Sequence, residues 1–210
     1  MVKILIVDDH PIVREGLART LEKCFPGCKP EAAADSVEAM KAVWDHAWDL
    51  VLLDISMPGR SGLDLMKEIH SARPKLPVLI MTFHPEEQFS LRALKAGAAG
   101  YLPKSAPAEV VQQAIRQVLA GGRFITAKAA ELMAANLGMD ADRPLHEVLS
   151  DREYDIFVRL GRGETVGEIA LSLNLSVKTI STYRARIMTK TGLKNNADVA
   201  QYAIRNHLVD

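Results

Sequence analysis

Short runs of Val, Ile and Leu alternate with segments of helical period through the first 120 or so residues. The apolar runs fall at 2–7, 50–54 and 77–82, with weaker ones at 29–34 and at 98–102, just after Gly97. Between them, helical patterns occupy 12–23, 37–47, 63–72, 86–96 and 108–120. In the first of these, Ile12, Gly16 or Leu17, and Leu21 recur at helix spacing. Strands alternating with helices predict a parallel sheet carrying helices on both faces. Strands that are nearly continuously apolar predict burial on both sides. The pattern is that of an α/β domain of five strand–helix units.

After Gly121-Gly122 the strand pattern ends. Residues 126–136 can form one helix, and 138–144 (Gly-Met-Asp-Ala-Asp-Arg-Pro) read as a flexible linker. From Ser150 onward every periodic segment is helical, at about 151–161, 166–173, 177–191 and 196–207. Ser150 with Glu153, and Thr165 with Glu168, have the spacing of a capping box, in which a hydroxyl N-cap is answered by a Glu three residues on. Gly161, Gly163 and Gly192 suit helix stops. The division expected is 1–122, a linker with a short helix at 123–146, and an all-α domain at 147–210. No internal repeat or low-complexity tract is present.

Composition excludes more than it identifies. With 48% hydrophobic and 25% charged residues, the chain buries a core and is not disordered. The longest charge-free stretch is ten residues, 76–85. A membrane helix needs about 20 apolar residues, so no membrane partner is expected. The apolar start runs straight into Asp8-Asp9, a strand ending in acid rather than a secretory leader. Two cysteines make no disulfide framework and fit a reducing, cytoplasmic setting. The 26 basic and 26 acidic residues cancel, which at first disfavours a nucleic-acid binder.

The chemistry concentrates at strand ends, where ligands bind in open parallel sheets. Asp8 and Asp9 end the first strand, Asp54 the third and Thr82 the fourth, and Lys104 lies just past the fifth. Crowded carboxylates repel one another, and a hard divalent ion with oxygen ligands relieves that cost. With such an ion beside it, Asp54 can attack phosphorus, because carboxylates form acyl phosphates. A lysine and a threonine hydroxyl would then stabilise the phosphoryl oxygens.

These residues carry a resemblance. Asp8-Asp9, Asp54 within Leu-Leu-Asp-Ile-Ser-Met-Pro-Gly, Thr82, Tyr101 and Lys104 resemble the receiver domain of a two-component response regulator, over about residues 1–122. The resemblance implies a flavodoxin-like sheet of order 2-1-3-4-5. It implies that Asp54 accepts a phosphoryl group from the phosphohistidine of a sensor histidine kinase. Asp9, Asp54 and the Ser56 carbonyl would bind Mg²⁺ (or Mn²⁺), with Asp8 acting through water. Thr82 and Tyr101 would be the switch pair, the hydroxyl moving toward the phosphoryl group while the ring turns inward. Two departures stand out. Phe83 follows Thr82 where receivers often carry a small side chain, and a ring there is expected to narrow access for small phosphodonors. Ser105 follows Lys104 where many receivers have proline, and Pro103 precedes it, at an edge strand that tolerates a missing N–H.

In the helical domain, a helix, a short turn (Asn174-Leu175-Ser176) and a longer helix follow one another. Ile180, Tyr183 and Ile187 share one face of the longer helix, with Arg184 and Thr191 beside it. Lys178, Ser181, Thr182, Ala185 and Thr189 share the other, with Arg186 at its edge. An apolar back and a small, polar front suit a helix that enters a DNA groove. The five cations between Leu171 and Ala197 (Lys178, Arg184, Arg186, Lys190, Lys194) stand without one acid among them. Neutrality therefore conceals a cationic element.

From Leu149 onward the segment resembles the LuxR-type helix-turn-helix of NarL/FixJ-type response regulators. It runs Leu-Ser-Asp-Arg-Glu-Tyr-Asp and then, from Glu168, Glu-Ile-Ala-Leu-Ser-Leu-Asn-Leu-Ser-Val-Lys-Thr-Ile-Ser-Thr-Tyr-Arg-Ala-Arg-Ile-Met. The resemblance implies that Lys178, Thr179, Ser181, Thr182, Ala185 and Arg186 face double-stranded DNA, and Lys190 is added as a phosphate contact. It also implies a homodimer when phosphorylated or DNA-bound. Val166-Gly167 replaces the polar Asn-Lys pair common in relatives, which removes one backbone contact.

Other motifs weigh little. Gly161-Arg-Gly163 follows no strand and reads as a helix connection rather than a dinucleotide loop. Cys24 and Cys28 lack further ligands for zinc. His10, next to Asp9, is within reach of the site but is expected rather to cap or pack near the first helix, and Trp44 and Trp48 to cover the sheet. The expected function is a transcriptional response regulator switched at Asp54, with no enzyme activity beyond taking and losing its phosphoryl group. Two rivals remain: an aspartyl-phosphate phosphohydrolase, which would usually need an acid where Ser56 stands, and a receiver signalling through protein contacts alone.

Overall fold

Five β-strands alternate with five helices in the first half of the chain: β1 (Lys3–Val7), α1 (Pro11–Cys24), β2 (Lys29–Ala33), α2 (Ser36–Asp45), β3 (Leu50–Leu53), α3 (Gly62–Ala72), β4 (Val78–Thr82), α4 (Glu86–Lys95), β5 (Gly100–Pro103) and α5 (Ala108–Leu119). The computed structural model describes residues 2–57, 61–83, 86–136 and 144–209. It separates into two units, Met1–Ala134 and Ala135–Asp210.

The strands form one parallel sheet of order β2-β1-β3-β4-β5. Residues 4–7 of β1 and all of β3 and β4 are buried, as continuous apolar runs in an α/β sheet should be. The two-residue side-chain period sends Ile4, Ile6, Leu50, Leu52, Leu79 and Met81 into one core, with Leu21 of α1 and Val111, Ala114, Ile115 and Val118 of α5. Each such side chain contributes about 1.5–3 kcal/mol by leaving water. All five strands therefore end at the same rim, where their polar residues gather.

The edges depart from the simple pattern. β2 is largely exposed, because an edge strand with Lys29, Pro30 and Glu31 is covered on fewer sides. At the other edge Phe124 bridges Gly100 in parallel, its N–H donating to Ala99 at 2.8 Å. A Cβ on Gly100 would stand 2.7 Å from the Phe124 carbonyl, so this approach needs glycine. Pro103 closes β5 opposite Thr82, and Lys104 N–H continues the ladder to the Thr82 carbonyl at 2.9 Å.

In the second half, helix α6 (Ala127–Asn136) precedes a 3-10 helix (Leu145–Val148) and then α7 (Asp151–Gly161), α8 (Val166–Ser172), α9 (Val177–Thr191) and α10 (Asn196–Arg205). Both capping boxes form, Ser150 with Glu153 and Thr165 with Glu168. Gly192, at φ +75, ends α9 in the left-handed conformation that glycine tolerates. Gly161 lets α7 approach α10, since a Cβ there would lie 2.8 Å from that of Ala203. Tyr154, Phe157, Ile169, Ile180, Ile187 and Val199 form the buried interior of this unit.

Two expectations need correction, and one falls outside the structure. Ile12 is 86% exposed, and the inward stripe of α1 runs through Val13 and Leu17 to the buried Leu21. Trp44 lies on the open side of α2, 60% exposed, and does not cover the sheet, while Trp48 is partly buried and donates Nε1–H to the Ala42 carbonyl at 2.9 Å. The 3-10 helix straddles the expected boundary at 146/147, and a single turn has no periodicity to detect. The proposed flexible stretch 138–144 lies outside the described residues apart from Pro144.

Candidate functional site

At the carboxyl rim of the sheet, Asp54 follows β3 with its side chain fully buried. Its Oδ2 accepts a hydrogen bond from Lys104 Nζ at 2.7 Å, and the same ammonium lies 2.6 Å from Asp8 Oδ2. Asp54 Oδ1 accepts the Ser56 amide at 3.0 Å. The Thr82 hydroxyl lies 3.0 Å from that of Ser56. The turn that presents Asp54 depends on Gly62 at the start of α3. A Cβ there would come within 2.4 Å of the Asp54 carbonyl oxygen and the Ile55 Cα.

The remaining acids complete a cluster. Asp8, Asp9, His10 and Asp54 each offer one ligand atom, and these atoms lie within 4.8 Å of one another. Asp9 Oδ1 is buried and accepts no hydrogen bond, although His10 Nδ1 stands 2.9 Å away. Three carboxylates against one lysine leave an excess of two negative charges. A buried, undonated carboxylate oxygen beside such an excess fits a hard divalent cation. Asp8, Asp9 and Asp54 are the oxygens that would hold it.

In the second unit, Ser176 caps α9 by accepting the Thr179 amide at 3.0 Å. Ile180 and Ile187 are buried, Tyr183 and Arg184 partly so, while Lys178, Ser181, Thr182, Ala185, Arg186 and Thr189 are exposed on the other side. The hydroxyls of Thr182 and Thr189 fold back on the carbonyls of Lys178 and Ala185. The helix thus presents a low, polar face with cations at its margins.

Comparison with known proteins assigns both parts of the chain to known families. Residues 4–116 match the response regulator receiver domain, and residues 147–203 match the bacterial regulatory proteins of the luxR family. Response regulator UvrY of Escherichia coli is 36% identical over 99% of this chain and 96% of its own. Response regulator GacA of Pseudomonas aeruginosa is 37% identical over 100% of this chain and 99% of its own. The chain belongs to the two-component response regulators. Its C-terminal part is a LuxR-type DNA-binding domain, and the whole is of the NarL/FixJ type. Among solved structures, two RcsB dimers bound to two parallel DNAs share 26% identity with it, over 96% of this chain and 97% of that one, at a TM-score of 0.60. The protein-contact-only reading gives way to this assignment. Among the described residues, no helix of this response regulator is long and apolar enough to cross a membrane.

The structure brings Asp8, Asp9, Asp54, Ser56, Thr82 and Lys104 to one rim. Tyr101, expected as a ring that turns inward, is already 1% exposed. His10 departs from its expectation. It holds the N-cap position of α1 without a side-chain cap, and its ring turns onto the acids, 3.2 Å from Asp8 and 2.9 Å from Asp9. A signal for this lies in Pro11, which fixes the first helical residue and confines its predecessor to extended backbone.

Two of the residues expected to face DNA are less available than the sequence implied. Thr179 is half-buried and shares its hydroxyl with Ser176 at 2.7 Å. Lys190 Nζ lies 2.6 Å from Glu153 Oε2. Burial alone would push the Glu153 carboxyl up, but the Lys190 ammonium and the Ser150 amide and hydroxyl hold it below the usual range. Arg184 donates to Asn196 Oδ1 at 2.7 Å. At the other cysteine-bearing loop, Cys28 is buried, which pushes its thiol pKa up and makes it a poor nucleophile.

Proposed function

We propose that a sensor kinase's phosphohistidine transfers its phosphoryl group to Asp54, and that this modification controls operator binding by α9. The observation that carries the proposal is Asp54 itself. It is a fully buried carboxylate held by Lys104, next to two hydroxyls and two further acids. Such an arrangement is costly, since two buried acids and a partly buried third against one lysine destabilise the fold unless a cation or a function offsets it.

Residues 1–122 form the receiver, 123–146 the linker and 147–210 the DNA-binding domain. Asp9, Asp54 and the Ser56 carbonyl would hold Mg²⁺ (or Mn²⁺), with Asp8 acting through water, and when bound the ion would supply positive charge against phosphoryl oxygens. Lys104 and the Thr82 hydroxyl hold those oxygens once transferred. Thr82 must then release Ser56, and this exchange, against a buried Tyr101, biases two packings of the rim. No turnover is assigned beyond taking and hydrolysing the phosphoryl group.

Lys178, Thr179, Ser181, Thr182, Ala185 and Arg186 read double-stranded DNA, with Ala185 limited to apolar contact with a thymine methyl. Lys190 braces α9 on Glu153 and reaches phosphate only by leaving it. A dimer would place two α9 helices on half-sites about one helical turn apart; RcsB has been solved as dimers on DNA.

The test is selection of bound duplexes from random DNA with the full chain, with and without Mg²⁺ and beryllofluoride. Enrichment of one operator, strengthened by beryllofluoride and lost in Lys178→Glu/Arg186→Glu, is expected. Asp54→Asn should bind that operator without responding to beryllofluoride. Equal enrichment by the charge-reversed protein would refute the reading.

A further inference from the structure

Phe83, the residue after Thr82, is 65% exposed, an unfavourable place for a large apolar ring unless something holds it there. Two contacts do. Lys104 Nζ lies 5.0 Å from the ring centroid, and the His10 ring meets Phe83 edge-on, with centroids 6.5 Å apart and planes at 80°. Both partners belong to the site below. Lys104 touches Asp8 and Asp54, and His10 touches Asp8 and Asp9. Two rings from different strand ends therefore touch each other and, between them, Lys104, Asp8 and Asp9, the groups around a fully buried Asp54.

We infer that Phe83, with His10 beside it, forms an aromatic roof that selects the phosphodonors reaching Asp54 and lengthens the life of the acyl phosphate. The inference rests on the reading of Asp54 as phosphoacceptor. In transfer, an Asp54 carboxylate oxygen bonds to phosphorus while the bond from phosphorus to the donor breaks. The electron pair leaves on the imidazole nitrogen of a phosphohistidine, or on the carboxylate oxygen of acetyl phosphate. In hydrolysis, a water oxygen bonds to phosphorus, and the bond to Asp54 breaks. Its pair returns to the carboxylate, and the water's protons pass to phosphate and solvent. Each displacement needs the attacking and leaving atoms roughly in line.

A ring at the mouth hinders entry in proportion to what the entering group can offer in exchange. A phosphohistidine borne by a protein brings binding energy from contacts remote from the reacting centre, which offsets displacement of the ring. Acetyl phosphate and water bring none. The roof therefore favours a protein donor and slows both small-donor labelling and spontaneous hydrolysis. Loss of one such cation–π contact, at the value for a ring this exposed, corresponds to about a fivefold change in rate.

The experiment uses the full chain with Mg²⁺ and phosphorus-labelled acetyl phosphate, comparing wild type, Phe83→Ala, Phe83→Tyr and Asp54→Asn. Phe83→Ala should label about fivefold faster and, once donor is removed, lose label about fivefold faster. Phe83→Tyr, which keeps a ring, should behave as wild type, and an unchanged melting temperature would separate access from folding. Rates for Phe83→Ala within about twofold of wild type in both directions, with label abolished by Asp54→Asn, would overturn the roof alone. No label at Asp54 in any of the proteins would overturn the phosphoacceptor reading and the roof together.

Discussion

Salt dependence offers a sharp test of which cations touch DNA. Five cations lie in the acid-free window around α9, but the structure commits Arg184 to Asn196 and Lys190 to Glu153. Among the described residues, Lys178, Arg186 and Lys194 are exposed and in no ion pair. Counting these as one phosphate each, a dimer neutralises about six phosphates, and the logarithm of affinity should fall with a slope of about −5.4 per log unit of salt. Between 50 and 200 mM that is a loss of about 10³-fold. Arg186→Gln removes two contacts per dimer, so the slope should fall to about −3.6 and the loss over that range to about 10²-fold.

Lys190→Gln supplies the contrast. It leaves the slope near the wild-type value but destabilises the helical unit, because Glu153 is 3% exposed and loses its ammonium partner. Fluorescence anisotropy on one labelled duplex across a salt series measures all three proteins. If Arg186→Gln left the slope unchanged while Lys190→Gln lowered it by about 1.8, the assignment of free and bound cations would be wrong. Lys190 would then be a phosphate contact that merely rests on Glu153.

Two further perturbations test the scaffold. Gly62→Ala forces a Cβ against the Asp54 carbonyl and the Ile55 Cα, both backbone atoms that cannot swing away. It should cost about 1–3 kcal/mol in urea unfolding and weaken beryllofluoride binding measured by intrinsic fluorescence; wild-type affinity would show that the turn does not position Asp54. Because the folded-state pKa of Glu153 is lowered, its contribution to stability is complete above the unfolded value of about 4.3 and disappears as pH falls through the folded one. Glu168, lowered by the Thr165 amide and hydroxyl, acts in the same direction. Urea midpoints followed by circular dichroism should drop on acidification below about pH 4.3, and less steeply in Glu153→Gln; parallel curves would exclude Glu153 as a source of the acid sensitivity.

The parts legible in the sequence were those governed by local rules. Apolar runs, capping boxes and the two-residue strand period place β1, β3, β4 and all of α7 to α10 within a residue or two, because each depends only on neighbours along the chain. The convergence of Asp8, Asp54, Thr82 and Lys104 was legible for a different reason. Parallel strands share a rim, so residues at their carboxyl ends meet without any knowledge of their distances. What escaped were choices between partners. Lys190 and Glu153 lie 37 positions apart, and nothing in the charge pattern tells an ammonium to turn toward one acid rather than a phosphate. Ile12 satisfies helix spacing as well as Val13 does, and only the approach of α1 to the sheet decides between them. His10 was open to inference, since Pro11 restricts it, but its ring has several acceptors within reach.

Charge and hydroxyl geometry together say where switching energy must come from. With one lysine against three carboxylates, the rim carries an excess of two negative charges before any cation binds. Converting Asp54 from a carboxylate to an acyl phosphate adds about one more negative charge, and a divalent ion compensates it only in part. The hydrogen-bonding capacity of the new phosphoryl oxygens would then compete for hydroxyl donors at the rim. One of these is the Thr82 hydroxyl, 3.0 Å from that of Ser56. Exchanging a neutral bond for a charge-assisted one, roughly twice as strong, favours the move by about 1–2 kcal/mol. Allosteric couplings are typically about 1–3 kcal/mol, so this one exchange suffices for a graded response. It falls short of the roughly 5.5 kcal/mol needed to carry an equilibrium from 1:99 to 99:1. A switch of that sharpness requires a second differential contribution. In a dimer, two such exchanges would act on one equilibrium and supply about 2–4 kcal/mol, which narrows that gap without closing it.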